Sequence, residues 1–173
     1  MTNSVVMQLL DTIQGSIFLA ILSTMGSFQY HNPDLAQSKI EVIREGNSVI
    51  ILLADKNDFA NTQNILGVRL ESKEELNPQD ISNLWSHRDK IQLMGRIQGS
   101  SFLFIKKAVE VFQQYNPDLT GYNIEVVREG DSIGVIFADK DRPTGTLGSV
   151  GKSGFEVELN AQDLTVIRSN FVR

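Results

Sequence analysis

Residues 145–153 (GTLGSVGKS) carry the glycines and the Gly-Lys-Ser ending of a phosphate-binding loop. Such a loop needs a glycine six residues before its lysine, where backbone N–H groups turn toward phosphate, and position 146 is Thr. The stretch also runs into an alternating, strand-like segment, so no helix N-terminus would face an anion. It reads as a glycine-rich connection. Asp139-Lys140-Asp141-Arg142 opens like a calcium loop, in which alternate side-chain oxygens meet the cation. A calcium loop closes on Glu at its twelfth position; that position is Val150, and Pro143 and Thr144 interrupt the interior. The four residues read as charged strand-end groups in solvent, with a weak metal or partner contact as the alternative. His31 and His87 are the two histidines, and no Ser–His–Asp order accompanies them. Glu156 and Glu158 fall on one side of a strand, which makes them neighbours and, more simply, part of a solvated sheet face. Trp85, the one tryptophan, reads as an interface anchor, with a ligand platform as the alternative.

Composition narrows the chemistry further. With no cysteine, disulfides, thiolate metal sites, iron–sulfur clusters and cysteine nucleophiles are excluded. Two histidines leave little room for a multi-histidine metal site. Sixteen Lys and Arg against 21 Asp and Glu give a net charge of −5, whereas binding nucleic acid through its phosphates needs concentrated positive charge. A chain 41% hydrophobic and 21% charged is neither disordered-like nor membrane-like. At 173 residues it makes one large domain or two small ones.

A tandem repeat decides between them. Ile13-Gln14-Gly15-Ser16 returns as Ile97-Gln98-Gly99-Ser100, 84 residues on. Asn32-Pro33-Asp34-Leu35, Arg44-Glu45-Gly46 and Ala54-Asp55-Lys56 return at the same offset as Asn116-Pro117-Asp118-Leu119, Arg128-Glu129-Gly130 and Ala138-Asp139-Lys140. Over 13–58 against 97–142, about half the positions are identical without a gap. The division is 1–88 and 89–173. His31 aligns with Tyr115 and His87 falls near Asn170, so neither histidine belongs to a duplicated site. The apolar run at 17–22 is no signal peptide, because no Lys or Arg precedes Lys39 and the segment recurs mid-chain at 102–105. The expectation is a cytoplasmic protein.

Each copy reads as a helix, a hairpin and one or two further strands. Phe102, Ile105, Val109 and Phe112 recur at helical steps while Lys106, Lys107, Glu110 and Gln113 fill the other face. Ser100 or Ser101 would cap that helix, and Asn116-Pro117 would end it, with Asn116 suited to the left-handed C-terminal position. Gly46-Asn47 and Gly130-Asp131 are two-residue hairpin turns. They pair Val42 with Ile51, Ile40 with Leu53, Val126 with Val135 and Ile124 with Phe137 on the helix-facing side. Residues 155–159 make a third strand of the second copy and 164–171 a fourth, at an edge or against the other copy. In the first copy the third strand is 68–71, and Asn77-Pro78 starts a helix leading toward residue 95. The helix from Ile17 to Phe28 is apolar nearly all round, and the outer face of the first hairpin is apolar as well. The first copy therefore reads as the centre of an inter-repeat or homodimer interface, with an exposed partner-binding groove as the alternative.

A long helix, a hairpin and two more strands resemble the cystatin-like fold, in which a curved antiparallel sheet wraps one helix. The nuclear-transport-factor-2-like fold is a related shape. Cystatin-type inhibitors carry Gln-x-Val-x-Gly at the first hairpin; here Arg44-Glu45-Gly46-Asn47 and Arg128-Glu129-Gly130-Asp131 stand there. The resemblance therefore implies the fold and not cysteine-peptidase inhibition. Small bacterial immunity proteins of toxin systems look like these folds.

The fold expected is α+β: a tandem repeat of a helix followed by a curved antiparallel β-sheet (α-β-β-β-β), pseudo-two-fold. The function expected is a non-enzymatic, protein-binding module of immunity or inhibitor type. It would have a protein partner, with a homodimer as an alternative, and no nucleic acid, membrane or cofactor. The acidic charge would steer a basic partner. Asp139, Lys140, Asp141, Arg142 and Lys152 are the expected contacts, and no catalytic or metal-binding residues are assigned. Two other readings stay open: a small-molecule binder or enzyme of nuclear-transport-factor-2-like fold, marked by a deep cavity with Asp, Tyr or His inside, and a structural assembly subunit.

Overall fold

The computed structural model describes residues 6–31, 33–57, 62–141 and 154–172. The elements in chain order are β1 (Met7–Gln14), α1 (Gly15–Phe28), β2 (Ser38–Glu45), β3 (Ser48–Asp55), β4 (Leu66–Arg69), β5 (Glu75–Leu76) and α2 (Pro78–Ser86). There follow β6 (Ile91–Gln98), α3 (Gly99–Phe112), β7 (Tyr122–Glu129), β8 (Ser132–Asp139), β9 (Gly154–Asn160) and β10 (Val166–Val172). The protein is α+β, with three helices and two antiparallel five-stranded sheets among the described residues, ordered β1-β7-β8-β9-β10 and β5-β4-β3-β2-β6. No helix among them is long and apolar enough to cross a membrane.

The sequence repeat and the compact unit are different divisions of the chain. One unit comprises residues 17–100; the other comprises the chain before residue 17 and after residue 100. The strand that opens each repeat lies in the sheet built by the hairpin of the other. β1 pairs with β7 and β6 pairs with β2. The registers agree residue for residue at the repeat offset: Ile13 faces Ile124 and Ile97 faces Ile40. Both pairings slip at the same place, skipping Leu10 in β1 and Met94 in β6. These two strands lie outside the helix–hairpin–strand order expected of each repeat. A bulge breaks the two-residue alternation by which a strand is recognised, and on these end strands Met7, Leu9 and Leu93 are exposed while Ile13 and Ile97 are buried.

The glycine turns set the hairpins as the sequence predicts. Gly46 and Gly130 have φ of +58° and +61°, a conformation that costs other residues about 1–2 kcal/mol. Val42 faces Ile51, Ile40 faces Leu53, Val126 faces Val135 and Ile124 faces Phe137, all fully buried. In the β1-β7-β8-β9-β10 sheet α3 covers this side: the Phe112 ring stacks on Phe137 at 4.4 Å and meets Phe155 at 5.6 Å. Residues 155–159 lie within β9 and β10 is an end strand, with Arg168 paired to Glu158 across the two.

Four local expectations are corrected. α3 starts at Gly99, so Ser100 and Ser101 are not its caps; Ser101 is buried and its hydroxyl donates to Asp11 of β1. Asn116 has no positive φ; its side chain instead accepts from the Asp118 N–H at 3.0 Å and donates to the Tyr122 hydroxyl at 3.0 Å. α2 begins at Asn77-Pro78 as expected but stops at Ser86, and the path toward residue 95 is strand β6. The apolar outer face of the first hairpin is covered from within its own unit. Ile81 and Leu84 of α2 join Ile43, Ile50 and Leu52 in one buried cluster, because their three-residue spacing puts both on one helix face.

Candidate functional site

Asp139, Lys140 and Asp141 sit together where β8 ends. Asp139 Oδ1 accepts from the Asp141 N–H at 2.9 Å, and the Lys140 N–H donates to the Gly121 carbonyl at 3.0 Å. The first copy repeats both contacts: Asp55 Oδ1 accepts from Asn57 N–H and the Lys56 N–H donates to Gln37, each at 3.0 Å. The shared Ala-Asp-Lys is thus a turn device in which the Asp closes the strand end. Beside it, Lys140, Asp141, Tyr122, Thr120 and Gln14 border a polar cleft of about 350 Å³. Arg142 and Lys152, the other two expected contacts, lie outside the described residues.

The histidines do not converge. His31 pairs through Nε2 with Glu75, while Nδ1 of His87 lies 2.9 Å from both the Ser86 hydroxyl and the Asn83 carbonyl. Glu71 and Asp163 have carboxyls held below their ordinary values. Glu71 accepts from its own backbone N–H and that of Val49, and Asp163 from the Thr165 hydroxyl and N–H. Both are exposed turn residues and line neither cleft described here.

A second cleft is built where α2 meets β6, in the unit of residues 17–100. Its formation starts at the helix cap. Asn77 Oδ1 accepts from the Asp80 N–H at 2.8 Å and Asp80 Oδ2 accepts from the Asn77 N–H at 3.2 Å, with Pro78 in the first turn. So anchored, α2 packs Trp85 against the buried cluster, and the following turn swings the Arg88 guanidinium to 5.9 Å from the indole centroid. Ile43, Ile91 and Leu93 add the apolar lining, Leu93 remaining 49% exposed. On its far side Arg96 Nε donates to Glu41 Oε1 at 2.8 Å, and Lys39 Nζ lies 4.0 Å from the same oxygen. Glu41 is only 8% exposed, and its pairing with cations is what makes a buried carboxylate tolerable. The cleft holds about 210 Å³. Of this arrangement the sequence reading singled out Trp85 alone. Glu41 and Arg96 are 55 residues apart, and only the β2–β6 pairing sets them opposite each other.

A third feature is spread over the end strands. The large hydrophobic residues left exposed include Met7 and Leu9 on β1, Leu93 on β6, and Val166, Ile167 and Phe171 on β10. Tyr115, also exposed, rests its ring 5.5 Å from that of Phe171. No family model, curated protein or solved structure matches the chain.

Proposed function

We propose that the protein is a non-enzymatic protein-binding module of immunity or inhibitor type, built as an intrachain pseudo-dimer of cystatin-like repeats. The observation that carries this reading is where the exposed apolar side chains fall. A chain can scatter single exposed hydrophobics anywhere on its surface. Here those of β1, β6 and β10 gather on strands whose outer backbone edge is unpaired in the sheet. An apolar end strand is a template for strand pairing, which natural proteins blunt unless it has a partner. The net charge of −5 would steer a basic partner toward the chain as a whole. Lys140 and Asp141, at the rim of the polar cleft, are proposed as flanking contacts together with Asp139, Arg142 and Lys152. The pseudo-dimer reading is supported by the matching registers of β1–β7 and β6–β2. A small-molecule role is less well supported: the larger cleft is lined by polar groups, whereas ligand sites are mostly apolar.

The test is native mass spectrometry of the protein purified gently from its source, beside the variants Leu9→Lys and Ile167→Lys. Both positions are solvent-exposed, so the fold should survive the added charge. A second polypeptide of defined mass, lost in at least one variant, is the expected result. A bare chain, or a partner retained equally by both variants, would overturn the reading.

A further inference from the structure

We infer that the cleft between α2 and β6 is a docking site for an extended, acidic peptide segment that inserts one apolar side chain beside a carboxylate. The inference rests on the protein-binding reading and names the partner's chemistry at one place. Size is the first argument. At about 210 Å³ the cleft falls below the roughly 300–1,000 Å³ of sites that enclose a drug-sized ligand, and suits a side chain. Lining is the second. Trp85, Ile43, Ile91 and the half-exposed Leu93 offer an apolar seat.

Charge is the third and the one that selects the partner. Two guanidinium groups, Arg88 and Arg96, and a single carboxylate, Glu41, line the cleft, which has an excess of one positive charge in a chain of net charge −5; Lys39 lies beside Glu41 outside the lining. Glu41 is committed to Arg96 and Lys39. Arg88 has no carboxylate partner among the described residues; its guanidinium rests against the Trp85 ring. A guanidinium held over an indole face keeps its planar donors available to a carboxylate, and stacking limits the rotamer entropy lost on pairing. Backbone is the fourth. β6 ends its sheet, so its outer N–H and C=O groups are open to an incoming extended strand, which would run past Leu93 and Arg96. An acidic apolar segment satisfies all four; a basic or purely apolar one leaves Arg88 opposed or idle.

Trp85 is the sole tryptophan, so indole emission reports this cleft and nothing else. The full chain would be titrated with acetylated, amidated nine-residue peptides bearing Leu or Phe flanked by Asp, and with matched peptides bearing Asn. The expected result is a saturable change in emission with the Asp peptides. Affinity should fall about tenfold for the Asn peptides, about tenfold for Arg88→Gln against the Asp peptides, and further as salt is raised. Arg88 is exposed and outside the core cluster, so Arg88→Gln keeps the fold; Arg96→Lys, which preserves the charge on Glu41, serves as a second variant. Equal binding of Asp and Asn peptides, or full affinity in Arg88→Gln, would overturn the inference. The failures are separable: a captured partner that Arg88→Gln retains while the Asp peptides leave Trp85 silent removes the cleft and keeps the protein-binding reading. A bare chain from its source removes that reading, and the titration still decides what the cleft binds.

Discussion

Replacing Gly99 by Ala tests the interleaving of the two repeats at its tightest point. Gly99 is where β6 ends and α3 begins. A Cβ built there would stand 1.8 Å from the Leu35 carbonyl oxygen, 2.8 Å from its carbon and 3.1 Å from the Ser38 carbonyl oxygen. Carbon–oxygen contacts of this kind settle at about 3.3–3.6 Å, so the chain would have to separate by about 1.5 Å. The opposing atoms are backbone, which cannot swing aside as a side chain would. Overpacking of this severity costs about 3 kcal/mol, against an intrinsic helix preference for Ala over Gly of about 1 kcal/mol. The net expectation is a loss of about 2 kcal/mol. With a urea dependence near 2 kcal/mol per molar, the midpoint falls by about 1 M. Trp85 emission follows the unit that contains Gly99 and Leu35. Gly26→Ala is the matched control, since nothing lies within 4 Å of a Cβ there and the same substitution in α1 should be neutral or stabilising by up to about 1 kcal/mol. Gly15, which would meet the Leu119 carbonyl at 2.0 Å, should behave like Gly99 when unfolding is followed by circular dichroism. A Gly99→Ala midpoint at or above that of the parent chain would refute the close approach, and with it the register that places β6 against β2.

Three further outcomes are expected. Lys73 has φ of 58° in an exposed turn, so Lys73→Gly should stabilise by a few tenths to about 1 kcal/mol, read as a higher urea midpoint, despite losing the contact of its Nζ with the Ser23 hydroxyl at 3.1 Å. Folding lowers the Glu71 carboxyl below its ordinary 4.5, so its contribution is present above that pH and is lost as pH falls through the folded value; Glu71→Gln should be less stable than the parent at neutral pH and converge with it in acid, measured as melting temperature against pH. A chain ending at residue 90 leaves β2 without β6, and β1 carries the residues and register to replace it; analytical ultracentrifugation should find that fragment as a dimer or unfolded, and a folded monomer would contradict the exchange.

The hairpins and the start of α2 were legible because each rests on a local rule. Gly46 and Gly130 supply a positive φ, alternation sets the buried face on either side, and Asn77-Pro78 with Asp80 spells a capping box. β1 and β6 obey no such rule. Leu10 and Met94 are bulged out of register, so Leu9 and Asp11, like Leu93 and Gly95, face consecutive partners, and the apolar pattern loses its period. A signal was nonetheless present, since Gln8 and Leu9 return as Gln92 and Leu93, carrying the repeat upstream of Ile13. The candidate site suffered the same loss. Trp85 and Arg88 are close in sequence, but Glu41 joins Arg96 only through the pairing of β2 with β6. The polar cleft bordered by Lys140 likewise takes Gln14 from β1.

Both copies keep apolar residues on the helix-facing side, Ile51 and Leu53 becoming Val135 and Phe137, and they differ more sharply on the outer face. Ile43, Ile50 and Leu52 of the first copy correspond to Val127, Gly134 and Ile136 of the second, and Glu41 to Glu125. In the first, large aliphatics demand a cover and α2 supplies it, with an apolar cleft at the β6 edge. In the second, Gly134 removes a side chain where Glu156 comes close, and the carboxylates of Glu156 and Glu158 make the face self-sufficient in water. The partners of Asp11 and Ser101 differ in the same way: at the equivalent place Gly95 meets Ile17, its absent Cβ leaving room for the Ile17 methyl at 3.0 Å. Retained registers hold the framework while substitutions off the core make one face basic at its edge and the other acidic. Under the protein-binding proposal, the unlike charges at Arg88 and at Glu156 are where exchange of sign should alter recognition without touching the core.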